Sequence, residues 1–272
     1  MEHAVTPKLL DYFHARGKRF GLPVAGTFEL TARCNFNCKM CYVHLTEAEQ
    51  RRRGRELTAQ EWIALGEAAK RAGTVFLLLT GGEPFLRPDF PEIYRALHRM
   101  GFLISINTNG ALLNDELLEL FREETPTRIN VSLYGTTNAT YQTLCGVPAY
   151  DRIVRSIERM RSAGLSVKLN LTLTPDNLAE MPSIIAEARA LGAQLQATPY
   201  LFPPVRRDRA GLGENFRMSA EDAGLFQARY NLLTMTKAQF CLLAEQMSRG
   251  IAQRAGQPCE GRPGQGVSCR AG

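Results

Sequence analysis

The sequence has one tryptophan, four histidines and no purely apolar run longer than the five residues from Val75 to Leu79. Such a run falls far short of the roughly 18 apolar residues needed to cross a bilayer. The polar opening Met1-Glu2-His3 lacks a signal-peptide pattern, so a cytoplasmic protein with no membrane partner is expected. There is no G-x-x-x-x-G-K-[ST] loop, and Gly211-Leu212-Gly213 lacks the third glycine of a dinucleotide site. No histidine stands beside a nucleophile in a recognisable frame, which removes the case for a hydrolase. The net charge of +6, from 33 basic and 27 acidic residues, is too small to require a nucleic-acid partner. The basic runs Arg51-Arg52-Arg53-Gly54-Arg55 and Arg206-Arg207-Asp208-Arg209 carry no interleaved aromatics on which bases could stack, so both read as solvated faces.

What is present is ordinary globular composition and unusual cysteine placement. With 272 residues, 44% hydrophobic and 22% charged, the chain can bury a core. Its seven cysteines are an odd number and cannot all pair within the chain. Without an export signal, their clustering reads as metal binding.

From Val24 to Tyr200, short β-rich runs alternate with helical stretches, the pattern of repeated βα units. Six strands are predicted: Val24 to Thr31, Thr74 to Leu79, Phe102 to Asn107, Arg128 to Tyr134, Ser166 to Leu173 and Gln194 to Tyr200. Thr58-Ala59-Gln60-Glu61 is a capping box, and Asn114 and Asn177 read as further helix caps. Gly73, Gly101, Gly164 and Gly192 stand where helices give way to strands. Six units are fewer than the eight of a closed barrel. The expected fold is therefore α/β, a partial (β/α)6 TIM-like barrel with a short cysteine-containing C-terminal tail. The boundaries are an N-terminal helix over 1–23, the barrel over 24–205 and an extension over 206–272, in which Ser219 to Met247 reads as helical.

The strongest signal is Cys34-Asn35-Phe36-Asn37-Cys38-Lys39-Met40-Cys41, directly after the first predicted strand. A cubane iron–sulfur cluster normally takes four thiolates, so three leave one iron open to a ligand from outside the protein. Structural zinc held by Cys34, Cys38, Cys41 and His44 is the alternative from a non-enzymatic class. Thr80-Gly81-Gly82-Glu83-Pro84 follows the second strand, where two glycines allow backbone to approach a small ligand closely. Asn107-Thr108-Asn109-Gly110 and Val131-Ser132-Leu133-Tyr134-Gly135 end the third and fourth.

Over about Phe28 to Tyr200 these motifs resemble the radical S-adenosylmethionine (radical SAM) enzymes. The resemblance implies that Cys34, Cys38 and Cys41 bind a [4Fe-4S] cluster whose open iron takes S-adenosylmethionine. Reductive cleavage would then give a 5′-deoxyadenosyl radical that abstracts hydrogen from a substrate. It further implies that Met40 lies near the adenine. Gly81, Gly82 and Glu83 would hold the methionyl amino group, and Thr108, Asn109 and Ser132 would approach the adenosyl part. An electron donor such as flavodoxin or ferredoxin is the implied partner.

Two features depart from the pattern. Many peptide-modifying relatives have an arginine before a glycine where this chain has Cys145-Gly146, and a thiol cannot make a guanidinium's bidentate pair with a carboxylate. Arg152, Lys168 or backbone groups are the candidate substitutes, and Cys145 itself reads as a small buried hydrophobe. The tail ends on Cys269-Arg270-Ala271-Gly272, which resembles the opening of the cysteine-rich SPASM extension. Cys241, Cys259 and Cys269 are too few for an auxiliary cubane of four thiolates, so a truncated version of a longer enzyme is expected. The SPASM resemblance points to a peptide or protein substrate, with small-molecule cofactor biosynthesis as the alternative. The hydrogen donor and the catalytic residues are unassigned by any motif.

Overall fold

The computed structural model describes residues 9–199, 201 and 218–254. After α1 (Leu9–Phe20), six strands alternate with helices: β1 (Ala25–Glu29), β2 (Phe76–Thr80), β3 (Leu103–Thr108), β4 (Arg128–Ser132), β5 (Val167–Thr172) and β6 (Gln194–Thr198). They form one parallel sheet in the order β1 to β6, each strand hydrogen-bonded to the next in sequence. This is the open, six-stranded α/β partial barrel expected. Four strands fall within their predicted spans, and β2 and β3 each run one residue beyond, to Thr80 and Thr108.

Between the strands run α2 (Glu47–Arg53), α3 (Ala59–Arg71), α4 (Phe90–Arg99), α5 (Asp115–Glu123), α6 (Asn138–Cys145), α7 (Tyr150–Ser162) and α8 (Met181–Ala190). Their boundaries follow local chemistry. Thr58 and Glu61 close the capping box of α3, and the Asn114 side chain accepts the Leu117 amide at the start of α5. Asn177 stands at the N-cap position of a short 3-10 turn, Leu178–Glu180, but its side chain makes no capping bond there. Its Oδ1 accepts the Thr174 amide and its Nδ2 donates to Tyr134 and Thr172 carbonyls, so it ties the loop after β5 to the loop after β4. Gly73, Gly101, Gly164 and Gly192 all have positive φ, the left-handed conformation that ends a helix without Cβ strain.

The strand period of two gives the sheet two unlike faces. Leu77 and Leu79, Ile104 and Ile106, Ile129 and Val131, and Leu169 and Leu171 form one face, all buried. The buried positions of the amphipathic helices are Phe90, Ile93, Tyr94 and Leu97 in α4, Leu117, Leu118, Leu120 and Phe121 in α5, and Ile153, Ile157 and Met160 in α7. Phe85, Phe90, Tyr94 and Phe121 form an aromatic cluster, with Phe85 to Phe90 centroids at 5.0 Å and Tyr94 to Phe121 at 5.4 Å. Each such side chain contributes about 1.5–3 kcal/mol by leaving water. A slip of one residue in any strand would turn this set outward, so burial fixes the register.

The chain divides into two compact units between Gln227 and Ala228. The first holds the sheet. The second holds the end of α9 (Ala220–Thr234) and α10 (Lys237–Arg254). The single helical stretch expected from Ser219 to Met247 is therefore two helices, interrupted around Met235-Thr236, where Thr236 accepts the Gln239 amide. Among the described residues, no helix is long and apolar enough to cross a membrane. The run Arg206 to Arg209 and the tail cysteines Cys259 and Cys269 lie outside the described residues; Cys241 is exposed on α10.

Candidate functional site

A pocket opens at the C-terminal ends of the strands, where a parallel α/β sheet presents its loops. Cys34, Cys38 and Cys41 line it together with Met40. Thr80 at the end of β2 with Gly81 and Gly82 after it, Thr108 at the end of β3 with Asn109 after it, and Ser132 at the end of β4 complete that wall.

The cysteine segment has no regular structure, and its shape is set by hydrogen bonds from four directions. The Asn37 amide donates to the Cys145 carbonyl at 3.0 Å and the Lys39 amide to the Leu144 carbonyl at 2.8 Å, so the C-terminal end of α6 clasps the loop. Leu45 donates to Ala32 at 2.9 Å behind it. Lys39 pairs with Asp176 at 3.1 Å, and the Asn109 carboxamide donates to Asn35 at 2.8 Å. Amides also point at the sulfurs, Phe36 N–H to Cys34 Sγ at 3.4 Å and His44 N–H to Cys41 Sγ at 3.3 Å. Burial pushes the Cys34 thiol up to about 12, only partly offset by that Phe36 amide, so metal binding must displace its proton.

Gly81 and Gly82 line the pocket and also permit a close approach within the chain. A Cβ on Gly81 would lie 2.3 Å from the Thr31 carbonyl oxygen, and one on Gly82 would lie 2.2 Å from that of Arg33. Both glycines therefore let this loop pack directly on the backbone of Thr31 and Arg33. Gly82 N–H donates to Thr31 at 2.7 Å and Glu83 N–H to Arg33 at 2.9 Å, zipping this loop to the residues just before Cys34.

Glu83, which the resemblance places with the methionyl amino group, is fully buried and stands outside the set of residues that line the pocket. Its carboxylate accepts from Thr108 Oγ1 at 2.8 Å, Asn109 N–H at 2.7 Å and Phe85 N–H at 3.1 Å. Burial raises it to about 7 against the pull of those three donors. Glu83 therefore positions Thr108 and Asn109.

Residues 28–188 match the family described as the Radical SAM superfamily. The chain belongs to that superfamily. Radical SAM relatives include an AdoMet-dependent heme synthase of Methanosarcina barkeri (strain Fusaro / DSM 804), 34% identical over 184 residues, covering 67% of this chain and 52% of the relative. A probable GTP 3′,8-cyclase of Saccharolobus islandicus (strain M.14.25 / Kamchatka #1) is 35% identical over 177 residues, 64% of this chain and 56% of the relative. The chain thus spans little more than half the length of these curated relatives. Among solved structures, Streptococcus suis SuiB bound to precursor peptide SuiA has a TM-score of 0.63 at 15% identity, covering 90% of this chain and 50% of that one. Native anSMEcpe with bound AdoMet and Kp18Cys peptide has a TM-score of 0.62 at 13% identity, over 76% and 58%. At those identities the likeness is one of fold.

Radical SAM enzymes use a [4Fe-4S] cluster and S-adenosylmethionine, and the residues here fit both. Three thiols surround one pocket with backbone amides aimed at two of the sulfurs, as cluster sulfur requires. Among the described residues no three His, Cys, Asp or Glu side chains converge on a single ion. His44, the fourth ligand in the zinc alternative, is buried and its amide supports Cys41.

The remaining expectations separate cleanly. Cys145 is fully buried, as a small hydrophobe would be. Arg152 is exposed on α7, and Lys168 faces the barrel lumen from β5. Tyr134 is a pocket residue that the sequence reading passed over. Its hydroxyl donates to Ser132 Oγ at 3.2 Å, and burial raises its pKa well above the usual phenol range. Asn107 and Thr172 also line the pocket. The signal for all three was strand alternation, which puts Asn107 on the same face as its β4 partner Asn130, and hence as Ser132.

Proposed function

We propose that this chain carries the radical-generating barrel of an enzyme of small-molecule biosynthesis. The observation that carries the reading is the convergence of Cys34, Cys38, Cys41, Gly81, Gly82, Asn109 and Ser132 on one pocket at the strand ends. When bound, the cluster and S-adenosylmethionine supply reductive C–S cleavage and a carbon radical for hydrogen abstraction. The chain's own residues do the rest. The three cysteines would hold the cluster as thiolates, and the clasp from α6 keeps their loop in shape. Met40 offers an apolar wall, and Thr108, Asn109 and Ser132 offer polar groups to the cofactor, with Glu83 fixing the first two from below. Tyr134 orients the Ser132 hydroxyl.

The small-molecule reading is supported by the relatives at 34% and 35% identity, whose names concern heme and GTP. The peptide expectation rested on a tail outside the described residues, and the peptide-bound neighbours are alike in fold alone.

Anaerobically reconstituted protein should hold about four irons per chain, absorb broadly near 400 nm and form 5′-deoxyadenosine from S-adenosylmethionine under reduction. Cys38→Ala should lose iron and product while retaining its circular dichroism. Undiminished cleavage in that variant would refute the assignment of the cluster. A deproteinised metabolite extract should raise turnover more than a peptide fraction; the reverse result would restore the peptide reading.

A further inference from the structure

The lumen face of β4, β5 and β6 is polar throughout, whereas β2 and β3 also place Phe76, Leu78 and Leu103 on it. Paired residues of a parallel sheet share a face, and the register sets Ser105 beside Arg128, Asn107 beside Asn130 and Asn130 beside Lys168. It continues with Ser132 beside Asn170, Asn170 beside Gln196 and Thr172 beside Thr198. Asn107, Ser132 and Thr172 line the cofactor pocket, so the deeper members of these rows face the same lumen. A closed barrel of this kind would fill its interior with branched apolar side chains. Polar groups withdrawn from water are costly unless something pairs with them.

Two cations stand in this lumen. Lys168 reaches the Gln196 amide oxygen, and neither Lys168 nor Arg128 has a carboxylate partner among the described residues. Arg128 Nε is buried with no hydrogen-bond partner, and so is Asn130 Oδ1, whose own amide donates to Asn107 at 2.8 Å. The two cations face one another closely enough that Arg128, after burial, helps lower the Lys168 pKa. The acid on this face, Glu29, is on β1, with β2 and β3 between it and Arg128. Along β4, Arg128 is four residues below Ser132, roughly 13 Å at the usual strand rise, and the level of Lys168 is roughly half that depth.

We propose that Arg128 and Lys168 form an anchor in the lumen for the carboxylate or phosphate group of a small polar substrate, whose far end then lies at the cofactor pocket. This rests on the reading that the lumen is the substrate chamber of the enzyme. Asn130 Oδ1, unmet in the free chain, accepts from a hydroxyl or amine on the same substrate. The anchor lies below the cofactor pocket that Ser132 lines.

The test is calorimetric titration of reconstituted protein, saturated with S-adenosylmethionine, with succinate and separately with pyrophosphate. One of the two should bind, succinate marking a carboxylate substrate and pyrophosphate a phosphorylated one. R128Q and K168Q should weaken that binding at least about tenfold, as loss of a charge-assisted hydrogen bond does. Iron content, circular dichroism and S-adenosylmethionine affinity should be unchanged. Q196E, at an exposed position, puts an acid against Lys168 and should weaken binding while both cations remain. R152Q should bind as the parent does. Failure of both anions to bind the parent, equal binding by the variants, or a fall in cofactor affinity instead would each overturn the anchor. Anion binding without cofactor cleavage would sink the enzymatic reading alone, and cleavage without anion binding would sink the anchor alone.

Discussion

The Thr108 hydroxyl donates to the Glu83 carboxylate at 2.8 Å, so one buried acid holds the loop after β2 against the loop after β3. With Asn109 N–H on its other oxygen, Glu83 fixes two pocket walls that are 25 residues or more apart in sequence.

Replacing Glu83 by Gln keeps the shape but turns an acceptor toward a donor, leaving the Asn109 amide opposite an NH2 group. A loss of about 1–3 kcal/mol is expected. The pH dependence has a definite sign. Burial raises the folded pKa to about 7 from 4.5, so folding favours the protonated acid. Its contribution is fully present below about 4.5, falls as pH rises through 7 and is constant above. Urea midpoints of parent and E83Q at pH 5.5 and 8 measure this, and the parent should lose more stability than E83Q across the interval. Parallel behaviour would show that Glu83 does not titrate there.

Gly82→Ala forces a Cβ to within 2.2 Å of the Arg33 carbonyl oxygen, and backbone must move. Lower thermal stability and loss of S-adenosylmethionine affinity are expected together. Gly224→Ala in α9 is the control, since a Cβ there meets nothing within 4 Å and should stabilise by up to about 1 kcal/mol. An unaffected G82A would mean that the zipper to Thr31 and Arg33 is dispensable.

Arg87 is 5% exposed and donates to the Leu30 and Leu57 carbonyls, each at 2.9 Å, and in bidentate fashion to Asp89. It braces the end of β1 just before the cysteine loop. Arg87→Ala should cost about 3 kcal/mol in urea denaturation by leaving Asp89 and two carbonyls unmet. Arg87→Lys should recover only part, lacking the planar fork.

Asn109 Nδ2 lies 3.7 Å from Cys34 Sγ. A donor near a cluster thiolate stabilises the reduced state, so Asn109→Ala should lower the midpoint potential in an anaerobic redox titration with iron content retained. An unmoved potential would leave Asn109 a purely structural role through Asn35 and Ala111.

The βα order, the three cysteines and the pocket segments after β2, β3 and β4 were legible because each rests on local periodicity or spacing. Glu83 was not, because adjacency to Gly82 says nothing of which way a side chain turns, and burial sent this one beneath the pocket. The glycines were recognised as permitting close approach, but what they approach, Thr31 and Arg33, is set by tertiary pairing. Tyr134 was hidden beside the more familiar Ser132. Lys168 stood out as a candidate partner for the cofactor's carboxylate, but its place in the lumen with Arg128 emerges only when strand registers are added together.

The clasp on the cysteine loop is made by the peptide carbonyls of Leu144 and Cys145. A main-chain grip is indifferent to side-chain identity, which lets evolution exchange an arginine for a cysteine at this spot without disturbing the metal loop. It is intolerant of length. Inserting or deleting one residue in α6 would rotate both carbonyls by about 100° around the helix axis and release the loop. Across related chains, this segment should therefore vary in letters and stay fixed in number.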